Sequence, residues 1–358
     1  MTFLNNAAKT QQKPEGVRGA APATEAQAKE LTAKLFHMKN PENVVFTHSG
    51  SQAVELALRA FVKKGDHILL SVMDVDATWE LAEELAAVHG VEISPLSVNV
   101  YGILDYDAIE GMIRPNTRAI VCAHGCSVTG NIVNMERLTA IARRHKLLVI
   151  SDGCQTAGAC DVHLEELGID VYCFTGYKKM MGPRGIGGIC LKEGLMDQFR
   201  EGLVPVLEEN PKLAAALAPV DPVKLGGYCA AIEFIFEKGI YGICMLPHRL
   251  AKRFFESTKS MDAVEVYGDF GTNTRIATVS IRVEGFTPEQ VHAHMLEKYG
   301  IVCKPGLHGS SRMHEALGTS QNGLTRFSFG YFNTRMEVND TIWALMDLLG
   351  LDDLYLLA

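Results

Sequence analysis

No apolar run in this chain is long enough to cross a bilayer, and its opening stretch, MTFLNNAAKTQQKPEGV, lacks the charged-then-apolar pattern of a signal peptide. There is no basic stripe. The formal charge of −8 is spread along the chain, which excludes the electrostatic footprint of a nucleic-acid or anionic-membrane partner. A small-molecule substrate is the default that remains. A dinucleotide fingerprint is missing too, since no GxGxxG follows the first strand-like run. The nine cysteines are an odd number, and Cys122, Cys173 and Cys190 lie inside apolar runs. Cys122, Cys126, Cys154 and Cys160 lack the close paired spacing of a zinc site, so no metal is expected. Reduced thiols in a cytoplasmic protein fit this usage better than a disulfide framework.

What is present is alternation. A chain of 358 residues with 47% apolar content can bury one large core, or a large domain and a smaller one. Thr24 and Gln27 read as a capping box opening a helix over 25–38, followed by a strand at 43–47 and a helix at 51–64. A strand at 67–73 and a helix at 79–90, stopped by Gly90, continue the pattern. Four runs, at 118–124, 147–151, 171–175 and 186–191, are apolar without strict alternation and read as buried parallel strands. The stretch 205–227, rich in proline and alanine, reads as a connection. Beyond it, 276–285 and 324–333 alternate, with helical stretches at 287–298 and 337–349. These features predict an α/β domain with a mostly parallel sheet, and then a smaller α+β domain.

Ligands of open α/β sheets bind beyond the carboxyl ends of the strands. Asp152 directly follows LLVIS, Lys178 lies just past VYCFT, and the turn THSGSQA (47–53) leads into a helix on the same edge. Small residues there let backbone N–H groups approach a phosphate, and the helix dipole favours the anion. Phosphate cradle, carboxylate and lysine on one rim are economically explained by pyridoxal 5′-phosphate, with the lysine as Schiff base and the aspartate facing the pyridine nitrogen. A nucleotide-binding enzyme is the alternative this rim allows.

Several segments together resemble class V, fold-type-I pyridoxal-phosphate enzymes, and within them the cysteine desulfurase and selenocysteine lyase group. FLNNAAKTQQKPEGV is similar to the family's opening YLDNAATT segment, and VVFTHSGSQAVELAL to its phosphate turn. SDGCQTAG is similar to D-G-A-Q, FTGYKKMMGPRGIGG to the S-G-H-K lysine loop, and GLTRFSFGYFNT to the C-terminal arginine motif. The resemblance implies a large cofactor-binding domain over 15–245, and a small domain from 1–14 and 246–358. It implies Lys178 as the Schiff-base lysine, with its neighbour Lys179 as the alternative if the loop is aligned from GP. Asp152 is then the partner of the ring nitrogen and Gln155 of the ring oxygen. Gly50, Ser51, Thr175 and Tyr177 fall at phosphate positions, with Tyr177 replacing a histidine. Ser127 takes the place of an asparagine near the cofactor, and Tyr228 that of a threonine reaching a phosphate across a dimer. Arg326 would hold the substrate α-carboxylate in bidentate geometry, with His308 and Lys304 on the substrate loop.

Departures from the pattern bear on function. The family loop R-x-G-L-H-C carries a nucleophilic cysteine; here KPGLHGSSR (304–312) places Gly309 there and Lys304 at the arginine. Glycine has no thiolate, and Ser310 and Ser311 are poor sulfur acceptors. Cys303 lies upstream. The histidine that stacks on the ring is replaced by Val75, and Trp79 offers an aromatic face only if the loop is shifted. The expected activity is therefore C–S cleavage of cysteine or a related amino acid by β-elimination, without an enzyme persulfide. A class V aminotransferase and a catalytically quiet cofactor-binding partner are the alternatives. The resemblance also implies a homodimer.

Overall fold

Three helices start on a threonine whose hydroxyl accepts from the third backbone N–H while the residue there reaches back. These are Thr24 with Gln27, Thr287 with Gln290, and Thr334 with Glu337, opening Glu25–Leu35, Pro288–Tyr299 and Arg335–Leu348. Gly90, in the left-handed region at φ 64°, closes the helix Asp76–His89 as its pattern predicts. The computed structural model describes residues 1–214, 217–272 and 274–351. Among them no helix is long and apolar enough to cross a membrane.

The central sheet has seven strands in the order Val44–Thr47, Gly187–Leu191, Val171–Thr175, Leu148–Asp152, Thr117–Ala123, His67–Ser71 and Glu92–Leu96. All pair in parallel except Gly187–Leu191, which is antiparallel to both neighbours. The expectation that 186–191 is a parallel strand is thus corrected. Continuous apolarity reports burial on both faces and carries no information on direction. Strand Glu92–Leu96 escapes the sequence pattern because Pro95 interrupts it, and it lies at the sheet edge, where proline is tolerated.

The stretch 205–227 is not a simple connection. Helix Met196–Glu209 runs through Pro205, and helix Pro222–Lys238 starts at the Asp221 cap with proline in its first turn. Proline signals a helix start here as readily as a loop. Residues 215–216 lie outside the described residues. Helices Met135–Arg144 and Ile240–Thr258 also go unmarked in the sequence reading.

A second sheet, Thr325–Ser328, Thr278–Val283 and Val264–Tyr267, is antiparallel and has its own apolar cluster around Phe254, Val279, Ile281, Phe327 and Phe329. The N-terminal strand Thr2–Phe3 pairs with Ile301–Val302, and Leu4 belongs to this second cluster. The chain's start is thereby tied to its far end, and its next residues pass over the rim of the large sheet.

Candidate active site

Parallel strands Leu148–Asp152 and Val171–Thr175 end at the same rim. The first delivers Asp152 as its last residue; the second delivers Thr175, followed by Gly176, Tyr177 and Lys178. Helix Gly50–Phe61 starts there as well, with Ser49 as its cap accepting from the Gln52 N–H. A Cβ on Gly50 would stand 2.2 Å from Cys154 Sγ and 3.3 Å from the Thr175 Cβ. A Cβ on Gly187 would stand 2.3 Å from the Ser49 carbonyl carbon and 2.7 Å from the Gly50 nitrogen. Only glycine fits at either place, and the helix N-terminus can therefore sit directly against the strand ends.

Polar atoms converge on this cradle without satisfying one another. Thr175 Oγ1 and Gln155 Oε1 are buried and have no hydrogen-bond partner. Gln155 Nε2 donates to the Ala7 carbonyl at 3.1 Å, and Asp152 Oδ1 accepts from the Cys154 N–H at 2.8 Å. Beside them lies a cleft of ≈270 Å³ lined by Ser51, Val54, Val75, Thr78 and Asp152. Ser51 is exposed at the helix start. Buried polar atoms left orphaned in this way point to a ligand that completes them.

The adjacent lysines face different surroundings. Lys178 is half-buried, its carbonyl accepts from Thr10 Oγ1 at 2.7 Å, and its charge acts on Cys154 together with that of Asp152. Lys179 is buried among apolar groups, with Nζ donating to the Phe329 carbonyl at 2.9 Å. Burial first, and then the Arg326 charge, lowers Lys179 to about 7. Tyr177 is half-buried; its carbonyl accepts from Lys13 Nζ at 2.8 Å, and Arg184 lies over its ring.

Arg326 is buried on strand Thr325–Ser328. Nη1 donates to the Ser127 carbonyl at 3.0 Å, Nη2 to Asn5 Oδ1 at 3.4 Å, and Nε has no partner. Among the described residues no carboxylate forms an ion pair with it. A buried guanidinium without a counter-ion leaves a positive charge able to accept an anionic group. Burial brings its pKa down to about 10, which leaves it charged at neutral pH. Ser127 Oγ meets Ser310 Oγ at 3.2 Å.

Loop 304–312 is latched in place. Lys304, itself exposed, exchanges backbone hydrogen bonds with Arg326. His308, in the left-handed region at φ 58°, donates from Nε2 to the Lys304 carbonyl at 3.0 Å and accepts at Nδ1 from His314 Nε2 at 3.3 Å. Burial pushes His308 down to about 2 and His314 to about 4, so both are neutral near pH 7. Asp76 holds the far side: its N–H donates to the Gly309 carbonyl, and its carboxylate accepts from the Ser311 N–H at 2.7 Å and the Ser311 hydroxyl at 3.0 Å. Gly309 has φ 69°, and nothing lies within 4 Å of where its Cβ would be.

Other sequence candidates sit apart. Trp79 is buried in its helix, donating to the Ser71 carbonyl at 3.2 Å, with Arg312 4.1 Å above its ring. Val75 borders the cleft instead. Tyr228 is buried, and its hydroxyl meets Thr32 Oγ1 at 2.9 Å. The expectation that it reaches a phosphate across a dimer is therefore corrected: it lies in the core. Cys303 is buried beside His292 and pushed up to about 12. His37, Asp161 and His163 group at the surface, where Asp161 and Glu166 already pair with the histidines. Sequence reasoning missed Cys154 inside the cradle, Asn5 at Arg326, Asp76 at the loop, and Asp74 behind Asp152. Asp74 follows strand His67–Ser71 at the same sheet edge, which was the available signal.

A seven-stranded sheet with one reversed strand, a helix N-terminus packed on glycines at its rim, and a lysine and an aspartate on the same rim are the frame of a fold-type-I pyridoxal-phosphate enzyme. The Aminotransferase class-V family matches residues 4–340, and the chain belongs to it. A probable cysteine desulfurase of Halobacterium salinarum is 28% identical over 338 residues, covering 89% of this chain and 79% of that protein. A probable cysteine desulfurase of Halalkalibacterium halodurans is 25% identical over 87% of this chain and 79% of its own length. The fold is shared with the apo cysteine desulfurase of Thermococcus onnurineus (TM-score 0.86, 23% identity, covering 98% of this chain and 94% of that one). It is shared too with a C-DES mutant carrying glycine covalently linked to its PLP cofactor (TM-score 0.80, 17% identity, 97% and 96% covered). The cofactor is pyridoxal 5′-phosphate, and the orphaned Thr175 and Gln155 oxygens and the Gly50 cradle fit it.

Proposed function

We propose that this chain cleaves the Cβ–S bond of cysteine or a related amino acid by direct β-elimination, with no enzyme-bound persulfide. The observation that carries this reading is the absence of a reactive thiol from the substrate loop: Gly309 stands there, pinned by Asp76. The thiol in the cradle, Cys154, is buried and held protonated by desolvation and by the Asp152 charge.

When bound, the cofactor supplies an electron sink that acidifies the substrate Cα. The chain's own groups do the rest. Asp152 would hold the ring nitrogen, Gln155 the ring oxygen, and Gly50, Ser51, Thr175 and Tyr177 the phosphate, at the N-terminus of helix Gly50–Phe61. Lys178 would hold the cofactor's aldehyde carbon, and its amine would carry the proton to and from the substrate Cα. Arg326 takes the α-carboxylate, with Ser127 and Asn5 holding the guanidinium. His308 is neutral and donates to the loop's own backbone, which makes it a wall of the site rather than an acid. Lys304 stays at the rim. One cysteine and one water then give hydrogen sulfide, pyruvate and ammonia.

Incubation with L-cysteine tests this. Sulfide and pyruvate appear in equal amounts, and no chain gains a mass of sulfur. Alanine as the product, or a persulfide on any cysteine, overturns it. Keto-acid formed only with an amino acceptor supports a class V aminotransferase instead. The same reading places the protein in the cytoplasm as a homodimer, with a large domain over 15–245 and a small one from 1–14 and 246–358. Light scattering then reports twice the 39.1 kDa chain mass.

A further inference from the structure

Ser310 stands at the N-cap position of the short helix Ser311–Ala316, where a serine hydroxyl ordinarily accepts from the first N–H groups of the helix. It makes no such bond. The hydroxyl is instead fully buried and meets Ser127 Oγ at 3.2 Å. The carbonyl of that same Ser127 accepts from Arg326 Nη1 at 3.0 Å. Ser310 is thus joined to the guanidinium by two consecutive contacts. Among the described residues neither serine hydroxyl has another hydrogen-bond partner.

Both ends of the loop therefore stand on Arg326. At the near end Lys304 exchanges backbone hydrogen bonds with it; at the far end Ser310 reaches it through Ser127. Between them the His308 ring donates to the Lys304 carbonyl and the Ser310 N–H to the Leu307 carbonyl, which closes the loop on itself. The outer face is held separately, by Asp76 on Ser311 and Glu83 on Arg312, so the Ser310 hydroxyl is not what keeps the loop attached. Arg326 for its part has only neutral acceptors, the Ser127 carbonyl and Asn5 Oδ1. A planar guanidinium holds a carboxylate by two parallel bonds only when its plane is fixed. The Ser127 carbonyl fixes that plane, and the Ser310 hydroxyl fixes Ser127.

We propose that Ser310 is a positioning residue for the carboxylate subsite: acting through Ser127 it holds the plane of Arg326, so that the loop and the grip on the substrate carboxylate are coupled. This rests on the reading of Arg326 as the α-carboxylate anchor. Such coupling is reciprocal. What the latched loop adds to carboxylate affinity, a bound carboxylate returns as protection of the loop.

The test uses the cofactor-loaded protein and two probes. One is 3-mercaptopropionate, which has the carboxylate and thiol of cysteine without its amine; the other is cysteamine, which has the amine and thiol without the carboxylate. In Ser310→Ala, calorimetry is expected to show 3-mercaptopropionate binding weakened about fivefold, the size of one hydrogen bond, with cysteamine unchanged. Amide exchange over 304–316 slows when 3-mercaptopropionate binds the wild type and does not slow in the variant. Ser127→Ala gives the same loss, and the double variant loses nothing more. Should Ser310→Ala fail to fold, Ser127→Ala carries the test from the other side of the contact. Equal weakening of both probes, no weakening of either, additive losses in the double variant, or loop protection that survives the substitution overturns the proposal. Arg326→Gln separates it from the reading beneath. If that variant binds 3-mercaptopropionate as tightly as the wild type, the carboxylate anchor is wrong and both fall. A loss in Arg326→Gln with none in Ser310→Ala sinks this proposal alone.

Discussion

Lys178 and Lys179 are neighbours in sequence and strangers in environment. Lys178 shares its surroundings with Asp152 and Cys154; Lys179 is buried, bonded to one carbonyl, and within range of the Arg326 charge. Borohydride reduction of the loaded protein followed by peptide mass spectrometry is expected to find the cofactor on Lys178. Lys178→Ala abolishes the yellow colour, and loss of the label in Lys179→Ala alone would reverse the assignment. Lys179 also makes a stability prediction. Its folded pKa of about 7 lies below the ordinary lysine value of 10.5, so between those limits the unfolded chain binds more protons and stability rises with pH. Below about 7 the cost of charging Lys179 is fully present. Lys179→Met therefore stabilises the protein at pH 6, on the order of a few kcal/mol, and the gain fades towards pH 10. Urea titrations at the two pH values check this.

At the scale of elements, the loop 304–312 and the short helix Ser311–Ala316 are tied to helix Asp76–His89 by two carboxylates, Asp76 on Ser311 and Glu83 on Arg312. Asp76→Ala removes a helix cap and a cross-link together. It is expected to cost about 1–2 kcal/mol and to speed amide exchange over 304–316 without changing the distant strands. The same loop invites a gain of function. Gly309→Cys meets no steric obstacle, although its left-handed backbone costs about 1–2 kcal/mol for a non-glycine residue. With cysteine as substrate the introduced thiolate is expected to attack the substrate sulfur, forming an S–S bond as the substrate Cβ–S bond breaks and leaving alanine as co-product in place of pyruvate, a gain of about 32 Da on this residue. A variant without added mass would show that the latched loop cannot reach the substrate sulfur. Capping pairs and the Gly90 stop made helices legible in the sequence, because those signals are local. Helix Met135–Arg144 did carry a local signal, the Asn134 cap, which the sequence reading passed over, whereas Ile240–Thr258 has no side-chain cap and Pro247 obscured it.

Across the whole molecule, the rim chemistry was readable because strand ends are. Asp152, Thr175 and Lys178 follow apolar runs, and parallel sheets collect such positions on one edge. What stayed hidden were the partners supplied from afar. Asn5 reaches Arg326 and Ala7 reaches Gln155 only because the first strand is captured by Ile301–Val302 at the other end of the chain. Strand direction was hidden too, and Gly187–Leu191 shows why that matters. Its reversed course brings Gly187 to the rim, where it presses on the backbone of Ser49 and Gly50.

Gly187 on that reversed strand sets where the turn into helix Gly50–Phe61 stands, and with it the proposed anion pocket. A single methyl at position 187 would shove the turn outward by the width of an atom. Gly187→Ala should then loosen the grip on pyridoxal phosphate while pyridoxal, which has no phosphate to lose, is held as before. Equilibrium dialysis with the two vitamers would separate a displaced anchor from a broken one.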